Sequence, residues 1–466
     1  MKKQSDKQED DGLFDDKSQD VKNNPEEQNE GGMYATKPSK RRRIGNICLA
    51  VGIGVSGFWG GFFVNKLTVD DEINTLLKIK ERIQKSYYQE ISDELFYNTL
   101  FEAINEKILD PYSSYMTEEE YAQVRTQAKG EQSGIGLVFN LSQPNEWRIV
   151  RVSGNSPAER AGVQAGDLLV GYGVDEQSIA SAEDYADFSE FLKGYKTGET
   201  FFLQFEKTDG SIQTKELSKQ VYLENYVFYR TNQTSYNFSG DEKATPQQGD
   251  APLAALPDSA AYIRLTQFNG AAAEEFAAAM DLFQQQGKTD LVLDLRGNGG
   301  GYLDIMSAIS RYFCKGASQL HPVVAIADYG EYKQSFSTKG SLYDEYFTAD
   351  SRITVLADSG SASASECLLG CMYDYGAIGY DDICLIEENG VAKTYGKGIM
   401  QTTYPLSGLY GDAIRLTTAK ILWPLSQNCI HGVGITTDNG ATSTPNNYND
   451  EAEITAAIGV LYGVGI

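Results

Sequence analysis

The chain has 466 residues and a formal net charge of −25, with 65 acidic against 40 basic side chains. At about 100 to 200 residues per domain, this length calls for two or three folded units. The negative balance argues against nucleic acid as a partner, because such binding depends on neutralising phosphates, and leaves a protein or peptide as the fitting substrate.

Residues 1–30 carry ten acidic and five lysine side chains with almost no apolar residue. Such a segment buries too little surface to offset the entropy of ordering, so 1–43 is expected to be a disordered cytoplasmic tail. Arg41, Arg42 and Arg43 then precede an uncharged stretch, 44–64. At about 1.5 Å per residue it is long enough to cross a hydrocarbon core of about 30 Å, and it is expected to be a single transmembrane helix. Lys37, Lys40 and the three arginines lie before the span, whereas Asp70, Asp71 and Glu72 follow it. The positive-inside rule therefore places the N-terminus in the cytoplasm and the chain after residue 66 outside, anchored in the cell membrane.

Between residues 67 and 128 apolar residues recur at helical spacing, as in Ile73, Leu76, Leu77 and Ile83, then Phe96, Leu100 and Ile104, which predicts two or three amphipathic helices. Residues 129–220 change to short alternating strands separated by turn glycines, a β-rich module. The polar stretch 232–257 reads as a loop or linker. The remainder, 221–466, alternates apolar strands at 291–295, 323–327 and 353–357 with helical segments at 271–284, 302–313 and 364–375, which predicts an α/β core.

The six cysteines follow no zinc-ligand spacing, and Cys314, Cys367, Cys371, Cys384 and Cys429 are expected to be mainly buried thiols. Neither a metal nor a cofactor is expected. With only His321 and His431 present, chemistry needing several imidazoles is excluded.

Three segments can carry chemistry. Ser361-Ala362-Ser363-Ala364-Ser365-Glu366 follows a strand and opens a helix, where unpaired N–H groups and the helix dipole favour negative charge on an attacked carbonyl oxygen. Ser363 with Glu366 three residues on also has the form of an ordinary capping box. In Gly396-Lys397-Gly398 the glycines allow close backbone approach, and a buried Lys397 can lose its proton and act as base, with Gln401 to orient the amine. Asp294-Leu295-Arg296-Gly297-Asn298-Gly299-Gly300-Gly301 lacks both the dinucleotide fingerprint and the phosphate-loop lysine. Backbone donors for an oxyanion suit this turn better.

Taken in order, these segments resemble the C-terminal processing peptidases, or tail-specific proteases, over about residues 71–440. Further matching runs are Leu109-Asp110-Pro111-Tyr112-Ser113-Ser114-Tyr115-Met116, Ser133-Gly134-Ile135-Gly136, the Asn155 to Asp167 segment and Ile430-His431-Gly432-Val433-Gly434-Ile435. The resemblance implies a crotonase-like ββα peptidase core with an inserted or preceding PDZ domain. It also implies Ser363 as nucleophile, Lys397 as base, Gln401 as its orienting partner, and the N–H groups of Gly300 and Ala364 as oxyanion donors. Spacing alone does not choose among Ser361, Ser363 and Ser365. In the PDZ-like module, Gly134, Ile135 and Gly136 would present N–H groups to the free C-terminus of a protein substrate. Some relatives dimerise through a region like 71–129, so a homodimer is expected.

The chain departs from the family pattern at Tyr112, where relatives often carry histidine, and at Gly299, where they often carry proline. The segment 381–393 is longer than usual, and 382–392 is expected to protrude as a hairpin. Two alternatives compete with a serine endopeptidase: a catalytically inactive scaffold that binds C-termini through the PDZ-like module, and a thioester enzyme of crotonase type.

Overall fold

The computed structural model of the protein describes residues 70–140, 147–249, 251–406, 411–446 and 450–463. The expected tail at 1–43 and membrane span at 44–64 lie outside the described residues. Among the described residues no helix is long and apolar enough to cross a membrane.

Three helices open the described chain, Asp71–Ser86, Asp93–Lys107 and Glu118–Ala128, and each begins on a side-chain cap. Asp70 accepts the Glu72 N–H, Ser92 accepts the Leu95 N–H, and Thr117 forms a reciprocal capping box with Glu120. None of the three buries a residue fully, and Ile73, Leu77, Ile79 and Leu95 remain exposed. Between the second and third lies the short strand Ser114–Met116, which pairs antiparallel with Ala413–Leu422. The N-terminal region thus reaches into the α/β core, and the β-rich module that follows is an insertion rather than a preceding unit.

That module has its own sheet, in the order Leu137–Asn140, Trp147–Val152, Leu168–Gly173, Thr200–Glu206 and Ile212–Ser218, with helix Tyr185–Lys193 against it. Alternation along Thr200–Glu206 sends Phe201, Leu203 and Phe205 into a core with Trp147, Ile149 and Phe188. The ribbon of Glu131–Gly134 with Gln220–Leu223 joins the module to the rest of the chain.

The core is built on a nine-stranded mixed sheet. At its centre Ala260–Leu265, Asp290–Asp294, Ile353–Ala357, Ile383–Glu388 and Thr442–Pro445 run parallel. Asp290–Asp294 is buried throughout because both its faces are covered. Leu291 and Leu293 meet Phe276, Met280, Ile309 and Leu368 on one side, while Val292 meets Ile454, Ala457 and Leu461 of the C-terminal helix on the other. A five-stranded sheet containing Ile399–Pro405, Ala413–Leu422 and Val323–Asp328 shares the first of these cores. Helices Ala272–Gln285 and Ala364–Asp374 fall within one residue of their expected places, whereas Leu303–Ser310 stops short of its expected end at 313.

Two expectations are corrected. The stretch 232–257 is not only a linker, because Ser235–Phe238 and Pro246–Gln248 pair at the edge of the nine-stranded sheet. The hairpin within 382–392 does form, with Asn389 and Gly390 at its turn, but it does not protrude. Its first arm is an inner strand, with Ile383, Cys384 and Leu385 fully buried, so the extra length completes the sheet.

Candidate active site

Strand Ile353–Ala357 delivers the chain to a tight turn, and helix Ala364–Asp374 leaves it. The three serines of that turn differ in what their hydroxyls do. Ser361 Oγ donates to Leu295 O at 2.8 Å and Ser365 Oγ donates to Asn298 O at 2.8 Å, both fully buried. Ser363 is half-buried and has φ +57° and ψ −113°, a left-handed backbone that a β-carbon disfavours. Two hydroxyls therefore serve as internal struts, and the third is held by a strained turn at a helix N-terminus. Ala364 is the first helical residue, whose N–H has no intrahelical partner by the geometry of the helix.

The glycine-rich turn 296–301 is laced to this serine turn. Asn298 is its keystone, since Nδ2 donates to Leu265 O at 2.8 Å while its carbonyl accepts from the Ala362 N–H at 2.9 Å. Gly300 has φ +102°, and a β-carbon there would come within 2.7 Å of Ser363 Cβ, so glycine is required on both grounds. In this structure the Gly300 N–H donates to Asn298 Oδ1 at 3.0 Å. Behind the turn, Arg296 is paired with Asp294 at 2.5 Å and also with Glu453. Burial opposes ionisation of Asp294, yet the Arg296 and Arg264 charges hold its carboxyl down to about 2.

Lys397 lies on a loop drawn up to the same helix by one carboxylate. Glu366 Oε2 accepts the Ser363 N–H at 3.0 Å and the Lys397 N–H at 2.8 Å, while Oε1 accepts Thr394 Oγ1 at 2.6 Å and the Gly396 N–H at 2.7 Å. Burial pushes the Glu366 carboxyl above its usual range, against the pull of these four donors. The flanking glycines behave as their spacing implies. A β-carbon on Gly396 would approach Gly434 N to 2.9 Å, and one on Gly398 would approach His431 N to 2.7 Å.

The Lys397 ammonium is held below its ordinary range, first by burial and then by the Arg415 charge, with Asp110 and Glu366 opposing. Lys397 Nζ sits 5.0 Å from the centroid of the Tyr112 ring, and Tyr112 donates its hydroxyl to Tyr395 at 3.3 Å. Gln401 Nε2 donates to Thr417 Oγ1 at 3.3 Å, and Ser113 Oγ accepts the Thr417 N–H at 2.9 Å. Ser363 and Lys397 are thus joined through their backbones by Glu366, while their side chains make no hydrogen bond to each other. His321 and His431 are both exposed. The five described cysteines are free, four of them buried and Cys429 exposed.

In the inserted module, Gly134 ends a strand, the Ile135 side chain enters the module core, and Gly136 turns with φ +82°. A β-carbon on Gly136 would overlap Ser156 Cβ at 2.2 Å. The loop carbonyls are bound inward, Ile135 O by the Ala158 N–H at 3.0 Å and Gly136 O by the Ser153 N–H at 2.9 Å. The strand that follows, Leu137–Asn140, is an edge, and Phe139 packs on Phe188 of the nearby helix with ring centroids 5.8 Å apart. An edge strand beside a helix is the arrangement that accepts an added peptide strand.

In the sequence Glu366 shows only as the acid of a capping box, and Asn298 only as one member of the glycine-rich run. An acid in the first turn of an otherwise apolar helix was the available signal for Glu366. Nothing local marked Asn298, whose partners are far away in the chain.

Residues 259–440 match the family model described as peptidase family S41. A carboxyl-terminal-processing protease of Picosynechococcus is 29% identical over 355 residues, covering 75% of this chain and 74% of its own length. A probable CtpA-like serine protease of Staphylococcus saprophyticus is 25% identical over 392 residues, covering 84% and 69%. Among solved structures, a photosystem II D1 C-terminal processing protease is 22% identical with a TM-score of 0.45, covering 79% of this chain and 86% of that one. The family match over residues 259–440 and the curated relatives agree with the order of motifs along the chain, which is similar to the carboxyl-terminal-processing proteases and to peptidase family S41.

Proposed function

We propose that this protein is a membrane-anchored serine endopeptidase of the C-terminal processing type, acting outside the cytoplasm with Ser363 as nucleophile and Lys397 as base. The observation that carries this reading is the division of labour in the serine turn: the Ser361 and Ser365 hydroxyls are tied to buried carbonyls, whereas Ser363 is presented at a helix N-terminus beside Gly300.

In the reaction, neutral Lys397 Nζ takes the hydroxyl proton as Ser363 Oγ bonds to the scissile carbonyl carbon. The oxyanion meets the Ala364 N–H, joined by Gly300 once its bond to Asn298 Oδ1 is exchanged for the oxyanion. Collapse breaks the C–N bond, Lys397 returns the proton to the leaving amine, and water then hydrolyses the acyl-enzyme by the same base. Gln401, one strand residue pair from the serine-bearing arm at Ser113, orients the amine after release from Thr417.

The inserted module is read as a PDZ domain that receives substrate C-termini along Leu137–Asn140, with the carboxylate at Gly134 to Gly136. The uncharged span at 44–64 is read as the anchor, and the exposed apolar residues of 71–107 as the face of a homodimer. A crotonase-like ββα core belongs to the same reading, which has no role for nucleic acid or a cofactor. Cleavage of peptides by the full-length protein in detergent should disappear in Ser363→Ala while peptide binding persists. Hydrolysis surviving in Ser363→Ala would refute the nucleophile, and binding without hydrolysis in the wild type would favour the inactive scaffold.

A further inference from the structure

Strands Ile399–Pro405 and Ala413–Leu422 pair antiparallel, with Gln401 opposite Thr417 and Thr403 opposite Arg415. Each pair is joined by a side-chain hydrogen bond, Gln401 Nε2 to Thr417 Oγ1 at 3.3 Å and Arg415 Nε to Thr403 Oγ1 at 3.5 Å. Side chains on a strand alternate between faces, so two pairs that are two residues apart share one face, about 7 Å from each other. Arg415 therefore stands on the face that carries Gln401. On its other side the chain runs past Ser114, its partner on the arm that ends in Tyr112. Its charge acts on Lys397 and also on Tyr302, the exposed ring that follows Gly300 and Gly301.

Two other arginines withdrawn from solvent are neutralised by acids. Arg296 has Asp294 and Glu453, and Arg151 has Glu224 at 2.7 Å. Half-buried Arg415 forms no ion pair among the described residues, and its one hydrogen bond leaves both terminal nitrogens unused. The nearest acid in sequence, Asp412, is taken by the Tyr115 hydroxyl at 2.6 Å and the Glu118 N–H at 3.0 Å. A planar fork of donors, partly desolvated and lacking an anion, matches a carboxylate in geometry and charge.

We propose that Arg415 binds a carboxylate of the peptide lying in the catalytic cleft, either the terminal α-carboxylate of a short tail or an acidic side chain. The proposal rests on the assignment of Ser363 and Lys397 to that cleft. It makes Arg415 a specificity residue for anionic peptide ends, separate from the carboxylate loop of the inserted module.

The test uses full-length protein and three peptides that differ only after the scissile bond: a short tail ending in a free acid, the same tail amidated, and an amidated tail ending in aspartate. Arg415→Gln should lower the acid-to-amide ratio of kcat/KM about ten- to a hundredfold, the worth of a charge-assisted pair, and Arg415→Lys should restore part of it. A fall in the ratio of the aspartate peptide to the plain amide would identify an acidic side chain as the source. Any preference due to the inserted module is present in all variants and cancels. Equal loss on all three peptides, or a shift of the pH profile with every ratio unchanged, would overturn the proposal. Hydrolysis persisting in Ser363→Ala would instead refute the underlying assignment and is read independently of these ratios.

Discussion

Glu366 accepts the backbone N–H of Lys397 at 2.8 Å, and its same oxygen accepts the N–H of Ser363 at 3.0 Å. One buried carboxylate thereby fixes the distance between the loop of the base and the turn of the nucleophile. Removing a buried partner leaves the remaining donors unsatisfied at about 1–3 kcal/mol each.

Glu366→Ala should accordingly lower kcat/KM at least about a hundredfold and reduce stability by several kcal/mol, of which unsatisfied donors supply about 1–3 each. Glu366→Gln should be impaired nearly as much, because its NH2 group would face N–H donors. Kinetics with thermal unfolding of both variants measure this. A glutamine variant with wild-type turnover would show that the four donors need no charged acceptor.

Much of this arrangement was legible in the chain, and the rest was hidden for physical reasons. The strand at 291–295 showed as an apolar run ending in glycines, and Gly396 and Gly398 marked a close approach that the loop at 431–434 supplies. The short strand Ser114–Met116 was not legible, since its partner lies about three hundred residues on. Nor were the partners of Glu366, which are 28 to 31 residues away for Thr394, Gly396 and Lys397. The choice among Ser361, Ser363 and Ser365 came from family resemblance, whereas in the fold it follows from which hydroxyls are already bound. The first arm of the 383–392 hairpin was misjudged as a protrusion because a buried inner strand and a short surface hairpin look alike in sequence.

Lys397 should act only as the free amine. Burial, then Arg415, lowers its pKa, so the rate should rise with pH through a midpoint below that of an ordinary lysine. Lys397→Arg should be as inactive as Lys397→Ala, because arginine cannot be deprotonated. Steady-state rates across pH for the three proteins test this, and appreciable turnover by the arginine variant would exclude Lys397 as the base.

The Tyr112 ring lies 5.0 Å from Lys397 Nζ and favours its charged form. Tyr112→Leu keeps apolar bulk and removes the π face, so the midpoint of the pH profile should move about half a unit lower, the equivalent of an exposed cation–π contact. Tyr112→Phe, which loses only the bond to Tyr395, should leave the midpoint in place. Movement of the midpoint to higher pH in the leucine variant would show that the ring acts by excluding water instead.

Glu275 provides a test remote from the cleft. Burial raises its carboxyl to about 8, although it accepts the N–H groups of Tyr226 at 2.7 Å and Val227 at 3.1 Å. The folded protein then keeps a proton that the unfolded chain releases near pH 4.3. Raising the pH from about 5 to about 8 should therefore reduce stability, with the loss complete above that range. Denaturant unfolding across the interval should show a flatter profile for Glu275→Gln, and an identical slope in both proteins would remove this group as the cause.

The assignment of the nucleophile is tested most directly by treating the full-length protein with a fluorophosphonate and locating the adduct by mass spectrometry of the peptide containing residues 361–366. The expected result is a single adduct on Ser363, absent from Ser363→Ala and strongly slowed in Lys397→Arg. An adduct on Ser361 or Ser365, or labelling of this peptide that persists in Ser363→Ala, would contradict it.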